Sequence, residues 1–272
     1  MKNFTLQSEF QITGIGAASG LVYLNNSLFI ISDTSSYLYE YQISKKQLFK
    51  IKLSGKSKEN SSKKDKYDFE SMTLNENKLY IFGSGSTSKR EKQFIYNLDT
   101  KEVVKKDLSQ VYDKLKNKIS ISNEDLNIEG ALFNGDELYL FQRGNGLNSK
   151  NGLYIINEKT EKIKFIAFPL PKIKLVESTF TDAVLVENKI YFLAAAENTT
   201  STYNDGEIAG SLIGSIDIKT MTIDFTRKIT ETQKFEGLTL FQKTNENIAF
   251  LLCEDNDTEE LNSTIYKLTL EI

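Results

Sequence analysis

Histidine and tryptophan are absent from this 272-residue chain, cysteine occurs once and proline twice. Without histidine there is no Ser-His-Asp triad, no Cys-His pair and no histidine-ligated zinc, so any catalysis must use carboxylates, lysine, tyrosine, a bound metal or water. The lone Cys253 excludes an internal disulfide and a cysteine-based metal cluster. No charge of one sign dominates. With 34 basic and 37 acidic residues the net charge is −3, which lacks the basic field that non-specific nucleic-acid binding relies on. No stretch approaches the roughly 18 uninterrupted apolar residues of a membrane span, and M-K-N-F-T-L-Q-S-E-F lacks the apolar run of a signal peptide. The expectation is a soluble, cytoplasmic monomer with no nucleic-acid or membrane partner, a removed leader aside.

What the chain does contain is a repeat. F-E-S-M-T-L (Phe69 to Leu74) returns as I-E-G-A-L-F (Ile128 to Phe133), T-D-A-V-L-V (Thr181 to Val186) and F-E-G-L-T-L (Phe235 to Leu240), with a fainter copy, S-G-L-V-Y-L, at Ser19 to Leu24. Internal repeats outrank local propensity in reading a fold. Each copy is followed by a short polar turn and a second apolar run, such as L-F-I-I-S (Leu28 to Ser32) or L-Y-L-F-Q (Leu138 to Gln142), the pattern of a β-hairpin. A third run with cleaner alternation follows, and a fourth completes the first four units, so each unit reads as a four-stranded meander.

Taking Ser19, Glu70, Glu129, Asp182 and Glu236 as markers, the intervals are 51, 59, 53 and 54 residues. The 36 residues after Glu236 hold only three strands, but with the 18 that precede Ser19 they make one full repeat. If the strand-like segment Phe4 to Ile12 completes the last unit, the chain closes as an all-β, single-domain, five-bladed β-propeller spanning 1–272. Such closure leaves no long exposed edge. A β-sandwich of similar strand content is the alternative. Ser109 to Ile119 is the one plausible helix, and the Lys- and Ser-rich Ser54 to Lys66 reads as a mobile inter-blade loop.

In a propeller the first strand of each blade lines the channel, so the residues that start it gather at one mouth, together with the loops that leave the second strands. Two sets converge there. The motif acids Glu70, Glu129, Asp182 and Glu236 form one. The other is Asp33, the G-S-G-S-T-S-K-R run with Ser84, Ser86, Lys89 and Arg90, then Arg143 and Asn145 in Q-R-G-N-G, Glu197, and Glu254 with Asp255. Four carboxylates around a narrow channel repel one another and resist burial in ionised form. Arg143, Lys89, Arg90 or a cation must neutralise them, and calcium suits a histidine-free cage of oxygens better than magnesium does.

A structural role competes with this one. An acid at the strand start can accept main-chain N–H groups from the neighbouring blade, while Gly20, Gly130 and Gly237 permit close approach. Residues that break the repeat are better function candidates than those that make it. Arg143 and the G-S-G-S-T-S-K-R loop are such breaks, and the loop could cradle a phosphate or carboxylate. Asn204, Asp205 and Glu207 lack the remaining ligands of a calcium loop and read as a turn. Without gaps Thr181, not Asp182, falls opposite Glu129, and only a hairpin one residue shorter restores the acid. In the first blade Ser19 takes the acidic position.

The Glu-Gly pattern in F-E-G-L and I-E-G-A resembles bacterial propellers of the phytase-like esterase and SdiA-regulated type. G-S-G-S-T, Q-R-G-N-G and A-A-A-E-N-T-T-S-T-Y-N-D-G-E together look closer still to an uncharacterised bacterial propeller family with no activity to carry over. S-G-L-V-Y-L-N-N-S-L-F-I-I-S-D and the blade count are similar, locally, to calcium-activated nucleotidases of the apyrase family, whose Trp- and His-containing stretches have no counterpart here.

Three functions follow as expectations. The first is a calcium-assisted hydrolase of a phosphoester or related ester, with Glu70, Glu129, Asp182 and Glu236 on the metal and Arg143 stabilising charge on a small anionic substrate. The second is a non-catalytic propeller that binds a ligand or protein loop at the same mouth. A glycosidase using channel carboxylates is third, weakened by the absence of tryptophan for sugar stacking.

Overall fold

The computed structural model describes residues 3–55, 57–59, 61–62, 64–148, 150–202, 206–255 and 261–272. Strand β1 (Phe4–Thr13) comes first, followed by the blade β2 (Ala18–Leu24), β3 (Ser27–Ser32), β4 (Tyr37–Gln42) and β5 (Gln47–Lys52). The second blade is β6 (Phe69–Asn75), β7 (Lys78–Gly83), β8 (Lys92–Asn97) and β9 (Val103–Asp107). Helix α1 (Ser109–Ile119) leads to the third, β10 (Ile128–Asn134), β11 (Glu137–Gln142), β12 (Gly152–Asn157) and β13 (Ile163–Ala167). The fourth is β14 (Ser178–Val186), β15 (Lys189–Asn198), β16 (Glu207–Asp217) and β17 (Thr222–Thr230). The last has β18 (Phe235–Lys243), β19 (Asn247–Glu254) and β20 (Asn262–Glu271), and β1 adds antiparallel to β20 as its outer strand.

The result is the five-bladed propeller, with the inner strands β2, β6, β10, β14 and β18 in contact around the ring. Five large apolar clusters lie one between each pair of neighbouring blades, and a small sixth joins Ile173, Ala196 and Ala209. Phe29 and Ile31 meet Phe69 and Phe94, and Phe82 with Tyr112 of α1 meets Ile128 and Leu140. Phe141 meets Phe180 and Phe192, and Leu193 meets Phe235 and Phe250. Ile12 of β1 joins Leu251, Ile265, Leu28 and Tyr39, so the strand that closes the ring also fills the last inter-blade core. Burial of this apolar area is the term that holds the blades together.

Each inner strand carries a β-bulge at the motif position, and β18 has a second between Leu240 and Gln242. The register shifts at the motif leave Ser19, Glu70, Glu129, Thr181 and Glu236 unpaired, one per blade. A bulge re-aims a side chain. Here the residue before it (Ala18, Phe69, Ile128, Phe180, Phe235) is fully buried between blades, while the bulged residue turns towards the channel mouth. Further along the same strands the lining becomes apolar, around a cavity of about 330 Å³ touching Leu21, Met72, Ala131, Ala183 and Leu238.

Two expectations change. The ungapped alignment holds in space, so Thr181 occupies the motif position of blade four and Asp182 sits one residue on, where other blades have glycine or Ser71. The Ser54 to Lys66 connection does not simply hang in solvent. Ser36 N–H donates to Lys58 O at 3.0 Å, Ser61 N–H to Thr34 O at 2.8 Å, and Lys66 is only 8% exposed. Lys56, Asn60 and Lys63 lie outside the described residues.

Deleting the chain through Thr13 strips blade five of its outer strand and removes Ile12 from the core. Thermal unfolding followed by circular dichroism is expected to lose its cooperative transition, and a synthetic Phe4–Thr13 peptide added in trans should restore part of it. A truncated protein that melts like the full chain would mean that ring closure adds little.

Candidate functional site at the channel mouth

The bulged residues divide by chemistry. In blades one and four they are hydroxyls that clamp the next blade. Ser19 Oγ donates to Phe69 O at 2.5 Å and Thr181 Oγ1 donates to Phe235 O at 2.6 Å. Those carbonyls belong to the residues just ahead of Glu70 and Glu236, so the hydroxyl blades position the acids of their neighbours. Asp182 also braces the ring. Its carboxylate accepts Ala183 N–H at 2.8 Å and, from the next blade, Leu238 N–H at 2.7 Å. Gly237 beside it cannot carry a side chain, because a Cβ there would lie 2.6 Å from Cys253 Sγ and 2.8 Å from Leu21 Cδ2. Asp182, expected on the metal, therefore does the structural job.

The remaining acids fall into two centres. The first is built around Arg143, which is fully buried behind β11. Its Nη1 pairs with Glu129 at 2.7 Å, its Nη2 with Glu197, and Glu236 lies 4.0 Å away, while its Nε has no hydrogen-bond partner. Lys234 completes this centre at 2.8 Å from Glu236, with Asp255 at 3.7 Å and Glu197 at 3.9 Å. Asn127 Nδ2 donates to Glu129 at 2.7 Å and to Asn145 Oδ1 at 3.2 Å, and Gly206 N–H donates to Glu197 at 2.8 Å.

The second centre lies between blades one and two. Lys66 Nζ pairs with Asp33 and, at 2.7 Å, with Asp68. Arg90 Nη1 donates to the other oxygen of Asp68 at 2.6 Å and to Ser86 Oγ at 2.8 Å, and Ser84 Oγ donates to Asp68 at 2.5 Å. The G-S-G-S-T-S-K-R loop thus wraps a carboxylate of the protein itself. Carboxylate oxygens of Asp33, Asp68 and Glu70 lie within 4.8 Å of one another, the one such acidic group among the described residues. Glu70 makes no hydrogen bond or ion pair with any described residue, and Asp33 Oδ1 is buried without a partner.

Two further candidates point elsewhere. Lys89 is exposed and pairs with Asp65 at 2.6 Å. Glu254 accepts Tyr266 O–H at 2.8 Å on the flank of blade five, and Asp255 is the one that approaches Lys234. Asn204 and Asp205 lie outside the described residues, and Glu207 is exposed at the start of β16.

Sequence reasoning missed Lys66, Asp68, Asn127 and Lys234. All stand two or four residues ahead of a motif acid, in the connection that leads into its strand. K-Y-D-F-E and K-F-E carry that signal.

Seven acids (Asp33, Asp68, Glu70, Glu129, Glu197, Glu236, Asp255) face four cations (Lys66, Arg90, Arg143, Lys234), so the mouth holds more carboxyl groups than cations to pair with them. Burial, and then Asp68, Glu236, Glu129 and Asp33, push the Glu70 pKa well above the usual carboxylate range. Burial raises Glu236 likewise, against the opposing pull of Lys234. For Lys66 burial acts downward, but Asp68, Asp33 and Glu70 outweigh it and hold the ammonium charged. Burial and the nearby Glu236 and Asp182 raise the Cys253 thiol, which removes it as a nucleophile at neutral pH.

A family model described as a family of unknown function, DUF6929, matches residues 14–270. The chain belongs to that family. No curated protein matches it in sequence. Among solved structures it is similar to the glutaminyl cyclase of Myxococcus xanthus, at 10% identity and a TM-score of 0.56 over 98% of this chain and 96% of that one. A luciferin-regenerating enzyme matches at 11% identity and 0.52 over 98% and 95%. The Malassezia sympodialis allergen Mala s 1 matches at 11% and 0.57 over 95% of each chain. At these identities the likeness is one of fold. No helix among the described residues is long and apolar enough to cross a membrane.

Two outcomes test this geometry. Asp182→Ala leaves two buried N–H groups unpaired and should cost about 2–4 kcal/mol in denaturant unfolding, with Asp182→Asn losing less. The acids with raised pKa, Glu70 and Glu236 foremost, are favoured protonated in the fold, so their stabilising effect is complete below the ordinary value of 4.5 and is lost as pH rises through the folded pKa. In metal-free protein the melting temperature should therefore fall as pH rises above the ordinary carboxylate value, and Glu70→Gln should flatten the slope. A flat profile for the unaltered chain would contradict the burial of neutral carboxyls.

Proposed function

We propose that the mouth is a calcium-dependent site for a small oxygen-rich ligand, and that the reaction it is equipped for is metal-assisted hydrolysis of a phosphoester or related ester. The observation that carries this reading is Glu70: a carboxylate without a partner, beside Asp33 and Asp68, in a ring with more acids than cations. A hard divalent cation with oxygen ligands fits that donor set, and calcium tolerates the irregular, six- to eight-fold coordination that three carboxylates, carbonyls and water would supply. The orphaned Asp33 Oδ1 supports the same corner. Lys66 shares it, so metal binding would displace the ammonium from Asp33 and Asp68.

When bound, the ion would polarise a substrate oxygen or a water. Glu236, whose pKa burial raises, is suited to give a proton to a leaving group, with Lys234 beside it at 2.8 Å. Arg143 is committed to Glu129 and Glu197, which suits a positioning role better than direct contact with an anion. Glu129 is held by both Arg143 and Asn127, ready to orient water from the channel side. A small anionic substrate would need the metal, since the four cations of the mouth are already paired with carboxylates. The names of two structural neighbours, a glutaminyl cyclase and a luciferin-regenerating enzyme, indicate that this fold can host enzymes without specifying which.

A non-catalytic binding module is the second reading, favoured by the commitment of Arg143, Lys234, Lys66 and Arg90 to the protein's own carboxylates. Metal-stripped protein titrated with calcium, magnesium or EDTA and assayed with generic phosphoesters and esters separates the two. Calcium should raise the melting temperature by roughly 5 °C or more at saturation, and magnesium by less. Glu70→Gln should weaken calcium at least about tenfold, and Lys66→Met, destabilised when metal-free, should bind calcium more tightly and regain stability with it. No calcium response in either the unaltered chain or Lys66→Met overturns the metal. Calcium stabilisation without turnover of any ester leaves the binding module.

A further inference from the structure

Two hydroxyl-rich runs flank the charged mouth. Ser86 and Thr87 follow β7, and Thr200, Ser201 and Thr202 follow β15. They face each other across blade three, where the Gly146–Leu147 turn and the acidic 3-10 turn at Glu124 and Asp125 fill the gap, and together these loops enclose a cavity of about 340 Å³.

The walls are tied to one another. Thr202 Oγ1 donates to Glu124 O at 2.6 Å, which fastens the blade-four loop to blade three. Asp125 accepts Ser122 Oγ at 2.8 Å, closing a capping box that fixes the acidic turn. The cavity is also joined by hydrogen bonds to both charged centres. Ser86 accepts from Arg90, which holds Asp68, and Ser201 O accepts Asn145 Nδ2 at 3.3 Å, itself linked through Asn127 to Glu129.

The lining chooses the ligand. Among the described residues no lysine or arginine lines the cavity, and two carboxylate residues do, so a phosphate or carboxylate group would be repelled there. Hydroxyls both donate and accept, and carboxylates and carbonyls accept, which matches a ligand presenting several neighbouring O–H groups. Leu147, 75% exposed at the rim, offers a C–H surface. The volume lies at the small end of ligand pockets. The buried Asp125 already receives Ser122, so its charge is partly satisfied and does not call for an ammonium group.

We propose that this cavity is a subsite for a small, neutral, polyhydroxylated group, a sugar ring or polyol, held beside the charged mouth. Binding here needs no metal, so the inference stands whether or not calcium occupies the neighbouring centre.

Saturation-transfer NMR on the full chain, in EDTA, with glucose, galactose, N-acetylglucosamine and myo-inositol tests it, with methyl phosphate and propylamine as controls. At least one polyol should show transfer, weakened about tenfold by Thr200→Phe, which fills the cavity from an exposed position, while both controls stay silent. Thr87→Trp, from the opposite wall, should act alike if Thr200→Phe disturbs folding. Silence from every polyol, undiminished transfer in a folded variant, or stronger transfer to propylamine or methyl phosphate would overturn the proposal. Because EDTA is present throughout, none of these outcomes depends on the calcium reading.

Discussion

One extra residue in each inner strand governs how the ring is assembled and what it exposes. The bulge lets an apolar residue drop between blades while its successor turns into the channel mouth, and it does so at Ser19, Glu70, Glu129, Thr181 and Glu236. Hydroxyl and acidic positions then have different duties. Ser19 and Thr181 reach across to the carbonyls of Phe69 and Phe235, fixing the backbone from which Glu70 and Glu236 project. A clamp in one blade thus sets the aim of an acid in the next.

Stability and charge come from different places. The five inter-blade clusters, with Phe29, Phe141, Phe180, Phe235 and Ile12 among their members, carry the apolar burial that favours the fold. The charged mouth contributes little on balance, because desolvation of buried ion pairs offsets their attraction, and well-packed apolar replacements are often as stable or more so. Arg143 with three carboxylates within 4.0 Å, and Lys234 with three more contacts of this kind, are an expense in folding terms. A ring needed only for architecture would be built as blade four is, with Thr181 and Asp182 bonded to main chain.

Periodicity and length made most of the architecture legible. The repeat gave five meanders, the leftover residues at either end gave the closing strand, and the 3.6-residue pattern of Ser109 to Ile119 gave α1, because each of these is a local property of the chain. Arg143 stood out for the same reason: it interrupts an apolar strand pattern. The pairings that shape the mouth are not local. Lys66 meets Asp33 from 33 residues away and Arg143 meets Glu197 across 54, so no window of sequence contains both partners. Lys66 was further hidden by the solvated look of the Lys- and Ser-rich run before it. Thr181 and Asp182 were ambiguous because either can follow a bulge, and only the register with β15 decides between them.

Blade two is where symmetry fails in a way that packing does not require. Glu129 and Glu236 each have a cation within 2.8 Å, and the bulged residues of blades one and four are hydrogen-bonded to backbone. Glu70 alone among the five bulged residues has neither. The cations of that corner are engaged elsewhere, Lys66 with Asp33 and Asp68 and Arg90 with Asp68. A carboxyl left open beside two others, at a position where serine or threonine clamps the neighbour in blades one and four, is a cost the fold could have avoided. Its persistence is best understood if the missing partner comes from outside the chain.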